Sequence, residues 1–442
     1  MPLRLLGSQR VINGKLFLGE FSAEELAQEF DTPLYVVDGE EFRQTIRRFV
    51  KTLSDIYPNS CTVYAAKANS ALGVLQIAES EKLYVDVASE GELEAAIRAG
   101  FPPKRIYLHG NNKSERELTR AVEIGIKAIV LDNFYEIEKL ANICKNKTKI
   151  TDVIVRCAPG VDPETHEAIS TGQEDTKFGF NIADGSAERA VKEILRHPSM
   201  RLIGFHCHVG SQLLDSKAHR AAGERLARFA ISLRKEIGDI EEINLGGGLG
   251  IRYTEEDNPE PVEVFLKNSI EATLAPFENA KTLPKICFEP GRFLIGEAGT
   301  TLYRVGVIKT VPISEKRKTR TYVVVDGGLA DNPRPQLYNA RYIAINATRA
   351  DKEHDAPFRI AGRHCETDTL IPEAKLPETT TVGDVIAVQC TGAYNFSMSS
   401  NYNRYPRPAM IIIEGKEKRL AVKRETLDDL FRNEMIQERV GR

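Results

Sequence analysis

Along the first two thirds of the chain, short apolar runs rich in Val, Ile, Tyr and Cys alternate with longer stretches whose apolar residues recur every three to four positions. The short runs predict eight strands, at 62–66, 83–88, 105–108, 128–131, 152–157, 202–208, 242–245 and 285–289. Near-continuous hydrophobicity suits a strand covered on both faces, as in a parallel sheet. The intervening stretches predict helices, among them 90–99, 114–124 and 216–236. The second of these opens on Ser114-x-x-Glu117, the spacing of a capping box, in which two side chains satisfy free backbone donors of the first turn. Parallel strands need crossover helices, and eight of them can close on themselves, so the pattern predicts a (β/α)8 barrel of the TIM type. A doubly wound open sheet is the alternative; the strand count and the placement of polar residues favour the barrel.

Beyond about residue 299 the pattern changes to strand-like runs without long helices, at 301–310, 322–325, 342–346, 385–389 and 409–413, separated by turns containing Pro and Gly. That is the signature of a second, all-β domain, a barrel or sandwich. A strand-like piece at 14–18 and a helix opened by Ser22-x-x-Glu25 are expected to pack on it. The expected division is a barrel over 34–299 and a β domain built from 1–33 and 300–442. A length of 442 residues agrees with two domains, since it exceeds what one hydrophobic core usually supports.

Composition narrows the function. A net charge of -3 gives no reason to expect a nucleic acid or an anionic membrane as partner. No apolar run reaches the length of a membrane span, and the amino terminus lacks the apolar core of a signal peptide, so the chain reads as cytoplasmic. Seven cysteines without a Cys-x-x-Cys pair argue for reduced thiols rather than disulfides or a zinc knuckle.

A barrel of this kind should collect its reactive groups at the carboxyl ends of its strands. Strand one ends at Lys67, strand two at Asp86 and Ser89, strand three at His109, strand six in His206-Cys207-His208-Val209-Gly210-Ser211-Gln212, strand seven in Gly246-Gly247-Gly248 and strand eight in Glu289-Pro290-Gly291-Arg292. Lys67 follows an apolar run and is expected to be desolvated, which favours a neutral, nucleophilic amine able to form a Schiff base; a lysine snorkelling from a strand end is the plainer reading. The glycines can bring backbone N–H groups onto an anion, or simply make a tight turn, and Arg292 can supply a charged partner. Glu289 facing the ring nitrogen of a pyridine cofactor would keep that nitrogen protonated and the ring an electron sink. A surface carboxylate is its plainer reading, as a salt-bridge partner is for Asp86. His208 can stack on a planar ring or plug the barrel top. His206 and His208 alternate along one strand and so face one side, which also suggests a metal, but no second pair completes a coordination sphere. An amine, an imidazole, a glycine loop, a carboxylate and a guanidinium at one mouth fit a phosphorylated cofactor bearing an aldehyde.

These motifs, with Val63-Tyr64-Ala65-Ala66-Lys67-Ala68-Asn69, His364-Cys365-Glu366 and Gly392-Ala393-Tyr394, stand in the order of the fold-type III pyridoxal-phosphate-dependent decarboxylases, which the chain resembles from about Thr32 onward. The resemblance implies pyridoxal 5'-phosphate as cofactor, Lys67 as the Schiff-base lysine and His208 stacked on the ring. It places Ser211, Gly246, Gly247, Gly248, Gly291 and Arg292 around the phosphate, Glu289 at the ring nitrogen, Asp86 among the cofactor's neighbours and Tyr394 in contact with it. Cys365 corresponds to the family's proton donor. Arg334, Tyr338, Glu366 and Tyr394 correspond to substrate contacts, and Arg292 carries both phosphate-side and substrate roles. Within the family, Glu rather than Asp after the cysteine implies the branch that acts on meso-diaminopimelate and releases L-lysine and carbon dioxide. A guanidinium such as Arg334 can pair with that substrate's second carboxylate. The resemblance further implies a homodimer in which Cys365 and Glu366 arrive from the partner, in the cytoplasm, or in the plastid stroma for a plant protein. Members often read Cys-Glu-Ser-Gly-Asp; this chain reads Cys365-Glu366-Thr367-Asp368, one residue shorter, and Asp368 is left without a role. A metal-dependent barrel hydrolase and a non-catalytic cofactor carrier are the other readings. Tightly bound zinc would mark the first, and absence of turnover the second.

Overall fold

The structure, a computed structural model, describes residues 3–145, 149–161, 176–313 and 318–436. It divides into two compact units, Phe42–Gly296 and Met1–Glu41 with Glu297–Arg442.

In the first unit, eight parallel strands close among the described residues: β1 (Ser60–Ala65), β2 (Tyr84–Val87), β3 (Ile106–Leu108), β4 (Ala128–Leu131), β5 (Thr151–Ala158), β6 (Met200–His206), β7 (Glu242–Asn244) and β8 (Lys285–Phe288). Closure is made by the pairing of β8 with β1, where Cys287 stands opposite Cys61. Inward-facing Cys61, Val63, Tyr107, Val130, Ile154, Ile203 and Cys287 fill the lower interior, so the barrel is a packed core and not a pore. Each expected strand is present, with its ends within two residues of the expected ones. The helix Glu115–Ile124 begins with the reciprocal Ser114–Glu117 capping box and ends on Gly125 at φ 68°, a left-handed position that suits glycine.

The second unit holds a larger sheet in which Gly299–Pro312 pairs with Thr319–Val325, Val385–Gln389 and Leu34–Asp38. Leu34–Asp38 in turn runs parallel to Ala409–Glu414. The expected boundary at residue 34 is therefore corrected: this strand belongs to the β unit, and the barrel unit begins at Phe42. Locally, Leu34–Asp38 looks like a barrel strand, fully buried and followed by the helix Gly39–Ile56; only its distant hydrogen-bond partners assign it. Leu16, Leu26, Leu34, Val36, Leu302, Ile345 and Ile411 make the core of this unit. The Ser22–Glu25 capping box opens the helix Ala23–Phe30 as expected. No helix among the described residues is long and apolar enough to cross a membrane.

Candidate active site

At the barrel mouth, β1 ends at Ala65 and the chain enters a single 3-10 turn, Ala66–Ala68. The turn is fixed from below: Tyr64 donates its hydroxyl to the Asn69 carbonyl at 3.0 Å, and Asn69 Oδ1 accepts from the Ala71 N–H at 3.2 Å. Ala66 and Ala68 are buried and Lys67 between them is exposed. The expectation of a desolvated lysine is thus corrected. The turn lifts the side chain out of the strand's apolar surroundings, and its charge still reaches the groups at the mouth: it acts on Asp86, Glu92 and His208.

Glu289, one residue past β8, is the centre of the buried charge. His206 Nε2 lies 3.1 Å from Oε2, and Asn244 Nδ2 donates to Oε1 at 2.8 Å. His109 Nε2 stands 3.0 Å from Oε1, an ion-pair distance without hydrogen-bond geometry. Burial pushes the Glu289 carboxyl up, but His109 and His206 outweigh it and hold the group well below the usual carboxylate range. Burial also holds His206 down at about 4, against the pull of Glu289. Burial raises buried Asp86 to about 6, moderated by His109 and Lys67. One ring nitrogen each of His109 and His206 and a Glu289 oxygen lie within 4.8 Å of one another, a separation compatible with a cation; contact of both imidazoles with one carboxylate accounts for it equally.

β6 ends at His206, so strand alternation does not extend to His208. His208 is half-buried and its Nδ1 accepts from the Gly247 N–H at 3.2 Å. Burial, then the charges of Lys67 and Arg156, hold it well below the ordinary imidazole range, which leaves a neutral ring. Gly246 N–H donates to Asn244 Oδ1 at 2.9 Å. Two of the three glycine donors are therefore engaged within the chain, and the triplet's further contribution is close approach. A Cβ at Gly247 would stand 2.2 Å from the Glu289 carbonyl oxygen, and one at Gly248 2.4 Å from that of Gly210. Gly291 similarly lets the end of β8 close on Ala65 and Ala68. Arg292 is buried, donating to Ser211 Oγ at 2.8 Å and to the Tyr253 hydroxyl at 2.6 Å. Asp86, Lys67, His208, Ser211, the glycines, Glu289, Gly291 and Arg292 are thus all carried by the barrel's strand ends and the loops that follow them.

Sequence reading missed the roles of Asn244, Tyr253 and Arg156. The signal for Arg156 was a charged residue interrupting the apolar run 153–158 of β5, where it lies 3.7 Å from Asp132 with its guanidinium 4.4 Å from the Phe178 ring centroid.

The β unit carries the remaining candidates. Arg334 opens the short helix Arg334–Tyr338 and is buried, 5.4 Å from the Tyr394 ring centroid and 6.0 Å from that of Tyr338. Cys365 is exposed, since it lies in a surface loop between Ala356–Ala361 and Thr369–Leu376. Exposed Glu366 accepts from the Tyr402 hydroxyl at 2.6 Å. His364, of the same motif, is buried, and its Nδ1 lies 2.7 Å from Asp368 Oδ2. Asp368 gains a role from the same contact, since it also accepts from the backbone N–H groups of His364 and Leu329 and so folds the cysteine loop.

A buried, ionised carboxylate, an exposed amine and an arginine backed by glycine turns suit a phosphorylated pyridine aldehyde. The pyridoxal-binding domain of pyridoxal-dependent decarboxylases matches residues 42–296, the barrel unit itself. The chain belongs to the family of pyridoxal-dependent decarboxylases, and its cofactor is pyridoxal 5'-phosphate. Relatives of this chain at 38–45% identity include diaminopimelate decarboxylases. The one from Bacillus subtilis is 45% identical over 426 residues, 95% of each chain, and the one from Mycobacterium tuberculosis is 40% identical, covering 92% of each. The crystal structure of diaminopimelate decarboxylase from M. jannaschii superposes with a TM-score of 0.90 at 32% identity, covering 97% of this chain and 98% of that one, and is also known in complex with L-lysine.

Proposed function

We propose that this chain decarboxylates meso-2,6-diaminopimelate to L-lysine and carbon dioxide, the last step of lysine biosynthesis through diaminopimelate, with pyridoxal 5'-phosphate as cofactor. The observation that carries the reading is Glu289: a carboxylate kept ionised in a buried place at the mouth onto which Lys67 opens. When bound, the cofactor supplies an electron sink for the bond that loses carbon dioxide. Lys67 offers the amine that holds the aldehyde. Glu289 holds a proton on the ring nitrogen, His208 offers a neutral face to the ring, and Asp86 lies among these groups. Ser211, Arg292 and the backbone at Gly246, Gly247, Gly248 and Gly291 surround the phosphate. Arg334, with Tyr338 and Tyr394, takes the substrate's distal carboxylate; Glu366 takes the distal ammonium; Cys365 delivers a proton to the reacting carbon.

Exposure of Cys365 and Glu366 supports a homodimer in which each chain completes its partner's site, since a proton donor facing bulk water would gain nothing from the barrel's low dielectric. The enzyme is proposed to be cytoplasmic. Holoenzyme should release carbon dioxide from meso-diaminopimelate and none from ornithine or arginine; no release from meso-diaminopimelate overturns the reading. Mixing Lys67→Ala with Cys365→Ala chains, each inactive alone, should restore part of the activity, and a mixture that stays inactive overturns the shared site.

A further inference from the structure

The guanidinium of Arg334 lies over two aromatic rings, and a third contact sets its rotation. A cation over a ring is attracted to the face, but this attraction leaves it nearly free to turn in its own plane. Recognition of a carboxylate by two parallel N–H···O bonds depends on that angle. With Tyr394 at 5.4 Å and Tyr338 at 6.0 Å from its central carbon, Arg334 has its tilt defined by rings. Along its edge, Nη1 donates to the hydroxyl oxygen of Tyr342 at 3.0 Å.

We infer that Tyr342 is a positioning residue for substrate specificity: it fixes the rotation of Arg334 so that the guanidinium meets the substrate's distal carboxylate at the angle a paired contact requires. This rests on the assignment of Arg334 to that carboxylate. Tyr342 suits the task because its own backbone is anchored. It precedes the strand Ala344–Asn346, which pairs with Val385–Gln389, and the intervening Ile343 carbonyl accepts from the Gln389 N–H at 3.1 Å. Its hydroxyl hydrogen has an acceptor in Asn395 Oδ1, 3.5 Å away, a long bond but one shielded from water, since Asn395 is 0% exposed and Tyr342 4%. A hydroxyl with its hydrogen directed to Asn395 turns a lone pair towards Arg334, so the two bonds reinforce one another. Asn395 directly follows Tyr394, which ties one ring beside the guanidinium to the residue that orients the phenol.

The test uses holoenzyme and three ligands. Meso-diaminopimelate and the product L-lysine both carry the distal carboxylate; 1,5-diaminopentane has the same five-carbon diamine frame without it. Tyr342→Phe removes the acceptor and keeps the ring. It should raise KM for meso-diaminopimelate by about tenfold, the scale of one charge-assisted hydrogen bond, with kcat within about twofold of wild type. Calorimetric affinity for L-lysine should fall by a similar factor, while inhibition by 1,5-diaminopentane stays unchanged. Asn395→Ala, which frees the phenol to rotate, should move the same quantities in the same direction by a smaller factor. Unaltered KM and lysine affinity in both variants overturn the inference, and so does equal weakening of all three ligands, which would mark a merely structural residue. Arg334→Gln separates the positioning role from the substrate assignment. If it lowers affinity for the carboxylate-bearing ligands while Tyr342→Phe does not, only the positioning role fails; if Arg334→Gln leaves those affinities intact, the substrate assignment fails with it.

Discussion

Asp368 makes a sharp prediction because the loop it organises carries Cys365. Its side chain is 1% exposed and receives three hydrogens: from the His364 N–H at 2.9 Å and His364 Nδ1 at 2.7 Å onto Oδ2, and from the Leu329 N–H at 2.7 Å onto Oδ1. Its backbone closes the loop again, with the Gly362 N–H donating to the Asp368 carbonyl at 2.7 Å. Gly328 and Gly362 make room for the carboxylate, since a Cβ at either would come within 2.2 Å and 2.0 Å of Oδ2 respectively. The residue sits at φ 43°, a left-handed conformation that Asp and Asn both tolerate, so Asp368→Asn changes the chemistry without adding backbone strain.

In that variant one of the two side-chain termini becomes an NH2 group. With nitrogen at the Oδ2 position it faces the His364 N–H; with the amide reversed it faces the Leu329 N–H. Either orientation leaves a backbone donor unsatisfied, buried at His364 and half-buried at Leu329, at a cost of about 1–3 kcal/mol, and turns the surviving charge-assisted bonds into neutral ones of roughly half the strength. The sum is about 2–4 kcal/mol, borne locally. Amide hydrogen exchange followed by mass spectrometry reads it directly: protection at His364 and Leu329 should fall by roughly 30- to 700-fold, since each 1.4 kcal/mol is a factor of ten. Peptides from the barrel should exchange as in wild type, and kcat should fall with the loosening of Cys365. Undiminished protection at both amides would refute the assignment of Asp368 as the loop's organiser.

Two further predictions concern buried charge. Lys113 donates to Glu136 Oε1 at 2.5 Å and to the carbonyls of Gly110 and Val130, each at 2.7 Å, with both charged side chains buried; Lys113→Met should lower stability to urea by about 3–5 kcal/mol by stranding Glu136, and Lys113→Met with Glu136→Gln should recover much of it. Equal stability of the single and double variants contradicts this. Burial raises Asp331 from 3.8 to about 7, against the hydrogen bonds from Tyr303 and the Gly328 N–H. A carboxyl raised on folding contributes stability fully present below 3.8 and lost as pH rises through about 7. Asp331→Asn should therefore gain stability relative to wild type between pH 5 and pH 8, measured by urea unfolding followed by far-ultraviolet circular dichroism; a difference independent of pH contradicts it.

The eight barrel strands were legible because a strand covered on both faces must be apolar throughout, and a continuous apolar run between amphipathic helices suits few elements besides such a strand. The strand Leu34–Asp38 was misassigned for the same reason: its composition reports burial, while its sheet is decided by partners beyond residue 298. Ala356–Ala361 and Thr369–Leu376 escaped notice because both mix exposed positions with buried ones and contain proline. At the site, residues that punctuate an apolar run, such as Lys67, Glu289 and His208, stood out in the sequence. Tyr342 and Asn244 did not, and Asp368 stood there without a role. Their work lies in two or three hydrogen bonds each, to partners that the fold alone brings near. Lys67 shows the limit from the other side: its position was legible, but a single turn of 3-10 helix decides that it is exposed.

Protonation around Glu289 decides how much charge the barrel mouth can offer. A buried carboxylate can be kept ionised by a cation, which cancels its charge, or by neutral donors, which do not. Burial holds His206 down at about 4, so near neutral pH it meets Glu289 as a neutral imidazole, and Asn244 is neutral by nature. Through these two contacts the carboxylate is stabilised and still carries its negative charge, while the charge of His109, 3.0 Å from Oε1, is the further influence that holds it ionised. A cation arriving at the mouth then finds that charge uncompensated by them, in a medium that screens it less than water does. Had burial been shallower and His206 protonated, the same geometry would have produced an internal ion pair with less charge left for a protonated ring nitrogen. The depth of β6 and β8 in the barrel therefore matters as much to Glu289 as the identity of the residues around it.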